Sequence, residues 1–309
     1  MQAARNAPSE APAHFGFSVV ILTYARDTAL QTTLASLRNA IGDRQDVEVV
    51  LVDNNVDTID RASFLTDFAH SRYVRTGANK GVSGRNDGMA VAKGEILVLL
   101  DDDVLIESHD LFDKFSAAFT SEPRVGVVNA RKLDSKTMSL LPEFIPHTRK
   151  DVDTTRPFLT FRFVGGLVAL RRALYQDVGG FSPEFFYGLE EREYSYRIIK
   201  AGWKILYQPD IVAIETTDEG GRASRIDQRT ETLSNRYIIS YLHTPMAPMI
   251  ANFVLFTLFL VIKEGGRVNV GRALGKFSTW LKKPGRPARR PIDRHAQAYI
   301  RACGGAIWR

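Results

Sequence analysis

Apolar runs without polar alternation recur along the N-terminal part of the chain, separated by stretches with helical spacing. Phe17–Leu22 (FSVVIL), Val47–Val52 (VEVVLV) and Glu95–Leu100 (EILVLL) each read as a strand buried on both faces of a sheet. Between them, Thr28–Asn39 places Leu30, Leu34 and Leu37 on one helical face. A second helix is expected over Ile59–His70 and a short strand over Tyr73–Arg75, while Gly77–Gly88 runs into a helix ending near Lys93. Strand and helix in alternation predict an α/β protein with a doubly wound, mostly parallel sheet. Ligands of such sheets bind beyond the carboxyl ends of the strands. Three polar clusters fall there: Thr23–Tyr24–Ala25–Arg26, Asp53–Asn54–Asn55 and Asp101–Asp102–Asp103.

Beyond Asp103 the pattern loosens. Leu111–Thr120 reads as a helix, Val125–Asn129 as a strand and Ser135–Thr160 as a long loop over the strand ends. Phe163–Leu170 (FVGGLVAL) is a strand interrupted by Gly165 and Gly166, which admit a ligand or another backbone. A helix opens at Gly188–Leu189–Glu190–Glu191, runs to about Ala201 and stops at Gly202. A strand is expected near Ile211–Ile214. Asp218–Arg229 (DEGGRASRIDQR) then reads as a mobile loop whose Arg222 and Arg225 either close on a diphosphate or remain solvated.

The three adjacent carboxylates repel one another, and uncompensated charge is costly at the edge of a core. A positive partner is therefore expected, most simply a divalent metal on oxygen ligands. In an extended chain Asp101 and Asp103 point the same way, so both can address one Mg2+ or Mn2+ and the phosphates it carries. Asp53 either accepts from a nucleobase or ribose donor or caps the next helix. The loop containing Asn79, Gly81, Gly84, Arg85, Asn86 and Gly88 offers backbone N–H groups and a cation near a helix N-terminus, a place for a diphosphate. Its spacing matches neither the Walker loop nor the dinucleotide fingerprint. Glu190 and Glu191 stand in a first helical turn, where the dipole favours anions. Adjacent helical residues point about 100° apart, so at most one of the two faces a substrate.

Composition narrows the class. The 309 residues are 44% hydrophobic and 25% charged, ordinary for a soluble globular protein. A single cysteine, Cys303, excludes disulfides within the chain and argues against a cysteine-based zinc site, which suits a reducing cytosol. Residues 1–16 lack the apolar core of a signal peptide and are expected to be a flexible leader. The net charge of +6 is uneven: Lys263–Arg309 holds 12 Lys or Arg against two acids, a net of +10, which leaves −4 for residues 1–262. This asymmetry points to an anionic partner for the tail. Pro248–Ile262 is strongly apolar but only 15 residues long, whereas a spanning helix needs about 20, so a buried or membrane-surface helix is expected. The next segment interleaves Val268, Leu274, Phe277 and Trp280 with Arg267, Arg272, Lys276, Lys282 and Lys283. It suits either an anionic leaflet or packing on the main domain with a solvated basic face. No nucleic-acid-binding module accompanies the charge, so no nucleic-acid partner is expected.

The stretches SVVILTYAR, EVVLVDNN, ANKGVSGRNDG, EILVLLDDDV, FVGGLVALRR and GGFSPEFFYGLEEREYSYRIIKAGWKI follow in an order and spacing that resemble a family 2 glycosyltransferase of the GT-A fold. The resemblance covers roughly residues 17 to 207, and its specificity lies in the DDD strand taken together with FF-x-G-x-E-E. It implies a catalytic domain over 17–243, with a nucleotide-sugar half near 17–130 and an acceptor half near 131–243, and a helical, basic, membrane-associating region over 244–309. It implies that Thr23, Arg26 and Asp53 contact the donor nucleotide, and that Asp101 and Asp103 bind nucleotide and metal. Tyr24, Asn55, Asn79, Gly81, Arg85, Asn86 and Asp102 are expected on the donor side, and Gly165, Gly166, Glu190, Arg222 and Arg225 on the acceptor or diphosphate side. Glu191 falls where the family keeps its catalytic base, usually Asp. Where many relatives place a metal-binding His, the nearest residue here is Glu215. The implied activity is inverting, metal-dependent (Mn2+ or Mg2+) transfer from a UDP-, dTDP- or GDP-linked sugar to a hydroxyl of a glycan or lipid-linked acceptor in cell-envelope polysaccharide synthesis. The implied place is the inner face of the cell membrane. A sugar nucleotidyltransferase would need a Gly-rich phosphate loop directly after the first strand, and TYARD lacks its glycines. A catalytically silent, membrane-associated sugar-nucleotide-binding module is the other alternative, against which the intact DDD and EE argue.

Overall fold

The computed structural model describes residues 15–149, 151–216, 225–264 and 267–307. The chain runs through β1 (Phe17–Thr23), α1 (Asp27–Ile41), β2 (Val47–Asp53), β3 (Ser71–Arg75), α2 (Arg85–Val91), β4 (Ile96–Asp101) and β5 (Val104–Ile106). It continues through α3 (Leu111–Ser121), β6 (Val125–Asp134), β7 (Phe158–Thr160), β8 (Leu167–Arg171), α4 (Arg172–Val178), α5 (Glu190–Lys200) and β9 (Lys204–Glu215). Four helices follow: α6 (Arg225–His243), α7 (Met246–Glu264), α8 (Val270–Lys282) and α9 (Arg294–Ala302).

The unbroken apolar runs become the sheet centre. β1 pairs in parallel with β2 from Phe17↔Val47 to Thr23↔Asp53, and with β4 from Phe17↔Ile96 to Leu22↔Asp101. This register brings Thr23, Asp53 and Asp101 to the same edge. The strand order is β3-β2-β1-β4-β8-β6-β9-β5, with β7 added on β9. β3, β2, β1 and β4 are parallel; β8 then runs antiparallel between β4 and β6.

The sheet curls. Only Asp102 and Asp103 separate β4 from β5, yet these strands stand far apart in the sheet order. The curl is made by the long β6–β9 ladder, whose register jumps from Ala130↔Gln208 to Arg131↔Val212. Pro209, Asp210 and Ile211 form the bulge, and proline without an N–H donor suits it. The curled end of β9 meets β5 at Val104↔Glu215.

Several boundaries differ from those the sequence suggests. The helix expected over Ile59–His70 is a single 3-10 turn, Arg61–Leu65, because Arg61 is drawn into a buried ionic cluster. The strand expected at Val125–Asn129 runs on to Asp134, and that expected near Ile211–Ile214 spans Lys204–Glu215, because the two pair beyond the bulge. β8 begins only after Gly165 and Gly166, where Gly166 has φ +115°. The expected loop over Ser135–Thr160 contains a 3-10 turn, Pro142–Phe144, and β7.

The core does not break at residue 243. Val20, Leu99, Tyr194, Tyr237, Phe277 and Ile300 belong to one buried cluster, so the C-terminal helices share it with the sheet. α8 turns Ala273, Phe277 and Trp280 inward. Arg272 pairs with Asp227, Lys276 with Glu231 and Lys283 with Glu184. Of the two readings of this amphipathic segment, an anionic leaflet or packing on the main domain, its aromatic face takes the second.

Gly88 sets the distance between α2 and the sheet. A Cβ there would lie 2.5 Å from Val52 Cγ2 and 2.6 Å from Val20 Cγ1, on stiff β-branched side chains. We expect Gly88→Ala to lose about 1–2 kcal/mol of stability in urea denaturation, the overpacking outweighing the helix-propensity gain.

Candidate active site

Each member of the acid triad has a basic partner, Arg26 being shared by two of them. Asp102, buried, accepts from Thr23 Oγ1 at 2.9 Å, the Tyr24 amide at 3.4 Å and Arg26 Nη1 at 3.2 Å. Arg26 Nη1 also reaches Asp103 Oδ2 at 2.8 Å. Asp101 pairs with Arg85. The turn is pinned on both flanks: the Asp101 amide donates to Gly166 O at 2.9 Å, and the Thr216 amide to Asp103 O at 2.8 Å. Asp102 therefore anchors the loop after β1, while Asp101 is the most exposed carboxylate of the three. Ala25 in that loop has φ +56°, held by its amide on Asn55 Oδ1 at 2.8 Å.

Asp53, expected to meet the nucleotide, is fully buried and engaged within the protein. Its Oδ1 accepts from the Asn55 amide and Nδ2 at 2.8 and 2.7 Å; its Oδ2 accepts from Tyr73 Oη at 2.6 Å and Arg61 Nη1 at 3.3 Å. Arg61 also binds Asp27 and Asp57 through paired hydrogen bonds. These carboxylates hold the Arg61 guanidinium above its usual range, and Asp53 with Tyr73 keeps the phenol protonated, pushed up to about 12 chiefly by burial. Asp53 orders the Asn55 loop from beneath.

The glycine-rich loop also meets protein. A Cβ on Gly81 (φ +58°) would collide with Phe186 O, and the Val82 amide donates to that oxygen at 3.0 Å. Asn79 Oδ1 accepts from the Gly81 amide at 3.0 Å. Asn86 bonds the Phe181 backbone amide and carbonyl, both at 2.8 Å. The close approach at Gly81 is thus to the segment leading into α5, and Arg85, expected beside a diphosphate, is the cation on Asp101.

α5 starts at Leu189, a left-handed residue with φ +69° after Gly188 at φ +90°. Asn235 Nδ2 on α6 fixes this turn through Tyr187 O at 3.1 Å and Gly188 O at 2.8 Å. Glu190 is buried, and its Oε2 has no hydrogen-bond partner. Glu191 faces the crevice: a Cβ on Gly165 would lie 2.8 Å from Glu191 Oε1 and 3.8 Å from Asp101 Oδ2. Glycine at 165 lets the Glu191 carboxylate lie against the backbone here without shifting. Burial pushes both glutamates up, Glu190 to about 8 with repulsion from Glu191 adding to it, while Arg85 acts against the shift in both.

Lys132, Asn129 and Asn235 are site residues that the sequence pattern did not single out. Lys132 pairs with Glu215 and lies against Gly166. Asn129 holds the strand before the glycines through Val164 N at 2.9 Å and O at 3.3 Å. The consecutive polar pair Arg131–Lys132 breaks any alternation after Asn129, so the sequence pattern carried no signal for the strand continuing. Arg222 lies outside the described residues, and for Arg225 only its place at the start of α6 is described.

Asp101, Asp102, Asp103, Glu190, Glu191 and Glu215 outnumber the basic side chains Arg26, Arg85 and Lys132 that answer them. Asp103 is pushed up to about 7 by burial, then by Asp101 and Asp102. An oxygen-only donor set carrying excess negative charge fits a hard divalent cation. Among the described residues, however, no group of three or more His, Cys, Asp or Glu is arranged to hold a metal. Glu215, expected as a third ligand, is tied to Lys132.

A half-parallel, half-antiparallel curled sheet with an acid triad after its central strand defines the GT-A glycosyltransferase architecture. The model described as glycosyl transferase family 2 matches residues 18–179, and that described as N-terminal domain of galactosyltransferase matches residues 153–218. The chain belongs to glycosyl transferase family 2. An uncharacterized protein of Haemophilus influenzae is 30% identical over 161 residues, 50% of this chain and 86% of that protein. The mannosyltransferase PcManGT from Pyrobaculum calidifontis, solved with GDP-Man and Mn2+, has a TM-score of 0.57 and 18% identity over 95% of this chain and 80% of that one. TarS residues 1–349 from S. aureus, solved with UDP-GlcNAc, has a TM-score of 0.55 and 18% identity over 78% of this chain and 72% of that one.

The buried, half-satisfied Glu190 carries a pH signature. Its folded-state value lies above the unfolded carboxylate value of about 4.3, so the native state binds the extra proton between the two, and stability falls as pH rises through that window. We expect Glu190→Gln to unfold close to wild type near about pH 5 and to gain about 1–3 kcal/mol over it near about pH 8. Thermal melts at the two pH values check this; an equal offset at both would contradict it.

Proposed function

We propose that this protein transfers a sugar from a nucleotide-sugar donor to an acceptor hydroxyl in one inverting displacement. The observation that carries the reading is the placement of Glu191 and Asp101 on either side of Gly165, a potential base next to the acid triad. In this reading the crevice bounded by Thr23–Arg26, Asp101 and Asp103 takes the donor, with exposed Tyr24 at its edge. Asp101 and Asp103 would hold Mn2+ or Mg2+, and the cation, when bound, neutralises the departing nucleoside diphosphate. Glu191 takes the proton of the attacking hydroxyl. Burial strengthens it as a base, while Arg85 and Lys132 act against that upward shift. The donors in the PcManGT and TarS complexes, GDP-Man and UDP-GlcNAc, support the donor class. The catalytic unit takes in residues 17–243, braced by α7 to α9.

The acceptor is a glycan or lipid-linked saccharide of the cell envelope, reached from the inner membrane surface. The support for membrane attachment moves from α8 to α7. α7 has 19 residues where 15 were expected, and it is the one described helix long and apolar enough to cross a membrane. Ile250, Val254, Leu255, Leu258, Phe259 and Ile262 are exposed along it, Ile262 to 72%, and no charge interrupts Met246–Ile262. Its opposite face is fixed to the protein by Asn252 on Arg236 Nε (2.8 Å) and Thr257 on Tyr237 Oη (2.6 Å). Such a helix lies in the lipid interface with its apolar face down, Lys263 at the boundary.

With a panel of nucleotide sugars and Mn2+, Glu191→Gln is expected to lower turnover by about 100-fold or more, and Asp103→Ala to weaken metal dependence together with turnover. Unchanged turnover in both variants would refute the site. Replacing Val254 and Leu258 together by Glu is expected to reduce co-sedimentation with anionic vesicles at least about tenfold. Undiminished sedimentation would mean that α7 faces another protein surface.

A further inference from the structure

Arg272, Lys276 and Lys283, on α8 or just after it, meet Asp227, Glu231 and Glu184. The strap that follows α8 is different. Among the described residues, its Arg286, Arg289 and Arg290 and the adjoining Lys200 pair with no carboxylate. Arg286 Nε donates to Leu281 O at 2.9 Å, and its guanidinium lies 5.4 Å from the centre of the Tyr241 ring and 5.5 Å from that of Trp280. Arg289 Nη2 donates to Thr244 O at 2.8 Å, and its guanidinium lies 5.9 Å from the same Tyr241 ring. Its Nε is buried without a partner. Arg290 is exposed, and Lys200 Nζ donates to its carbonyl at 3.3 Å. Asp293, the acid nearest in sequence, is occupied as the N-cap of α9, where it accepts from the Ala296 amide at 2.8 Å.

Part of this arrangement caps α6, whose last carbonyls have no donors within the helix. Leu242 O accepts from the Arg290 amide at 2.9 Å, His243 O from the Ile292 amide at 2.8 Å and Thr244 O from Arg289. The first two bonds come from the backbone, so capping does not account for the charges of Arg286 and Arg290. Two guanidiniums on one tyrosine ring repel each other, and neither sheds its proton to relieve the repulsion. The free N–H groups of such forks match the paired oxygens of a phosphate. The place of the strap says which phosphate. Thr244 lies two residues before Met246, where α7 begins, and two residues of chain reach at most about 7 Å. From Met246 an exposed apolar row runs at every fourth residue through Ile250, Val254, Leu258 and Ile262, and beyond it stand exposed Lys263 and Arg267. Cations thus stand at both ends of the row. In a helix lying in a lipid interface, that is the level of the headgroup phosphates.

We infer that Lys200, Arg286, Arg289 and Arg290 form a binding site for the phosphate headgroups of anionic phospholipids, which seats the N-terminal end of α7 on an acidic leaflet. Its seating at a membrane rests on the interfacial reading of α7; the cluster of cations without acidic partners does not. The site gives the protein a preference for anionic over neutral bilayers, which an uncharged apolar row cannot supply.

The test sediments the full-length protein with vesicles of phosphatidylcholine and with vesicles of phosphatidylcholine and phosphatidylglycerol in equal parts. Wild type is expected to favour the anionic vesicles by a factor that falls as salt is raised. A cation at an acidic leaflet is worth about fivefold in partition. Arg286→Gln, Arg289→Gln and Arg290→Gln together are therefore expected to lower binding to anionic vesicles about 100-fold and to leave binding to neutral ones unchanged. Val254→Glu with Leu258→Glu lowers both. If the triple variant loses its fold through the α6 cap, Lys200→Gln with Arg290→Gln decides, with an expected loss of about 20-fold. An undiminished preference for anionic vesicles in the folded variants overturns the inference, whatever the binding to neutral ones. So does arginine-dependent binding to duplex DNA that is tighter than binding to anionic vesicles, which would make the occupant a nucleic acid. Arginine-dependent binding to anionic vesicles with none to neutral ones supports the headgroup site and refutes insertion of α7 alone.

Discussion

Burying carboxylates at the carboxyl ends of parallel strands is the constraint that organises this molecule. Asp53, Asp102 and Asp103 lie almost out of solvent, and each would be prohibitive without a cation brought to it from elsewhere in the chain. Arg61 answers Asp53, Arg26 answers Asp102 and Asp103, Arg85 answers Asp101, and Lys132 answers Glu215. Those cations come from the loops after β1 and β2, from the start of α2 and from the far end of β6. The loops that shape the crevice are therefore held by the same charges that make it acidic. Strain at Ala25 and Leu189 is tolerated on the same account, since hydrogen bonds to Asn55 and from Asn235 over-determine both turns.

The central sheet and the acid triad were legible in the sequence because β1, β2 and β4 are covered on both faces, so their apolar runs carry no competing reading. Glu191 was singled out through the segment around it, and the structure sets it near Asp101 across Gly165. What was not legible depends on contacts distant in sequence. Arg61 looks like a surface residue in a helical stretch until Asp27, Asp53 and Asp57 converge on it. β9 reads as a short strand because Pro209 and Asp210 break its pattern, and only pairing with β6 shows that they are a bulge. Asp53 was expected on the donor side from its place at a strand end; that it is also held by Asn55, Tyr73 and Arg61 could be seen only in the folded chain.

The C-terminal helices show the same limit differently. The alternation of basic and aromatic residues in α8 is real, but amphipathicity specifies only that one face is covered, not by what. Here α6 covers it, through Tyr237 and Tyr241 against Phe277 and Trp280. The uniformly apolar α7, in which no polar face was apparent, is the helix that presents side chains outward.

The two-residue link between β4 and β5 has a mechanical consequence. Asp101 is bonded to the strand entrance at Gly166, and Asp103 to Thr216 at the tip of β9, so the link joins two distant positions of the same sheet. An edge strand ordinarily frays on its own, at low free energy and without disturbing the centre. β5 is such an edge in the sheet order, yet peeling it from β9 pulls directly on the acid triad. The rim and the acid triad are therefore mechanically linked, and the acids keep their spacing for as long as the sheet remains closed on itself.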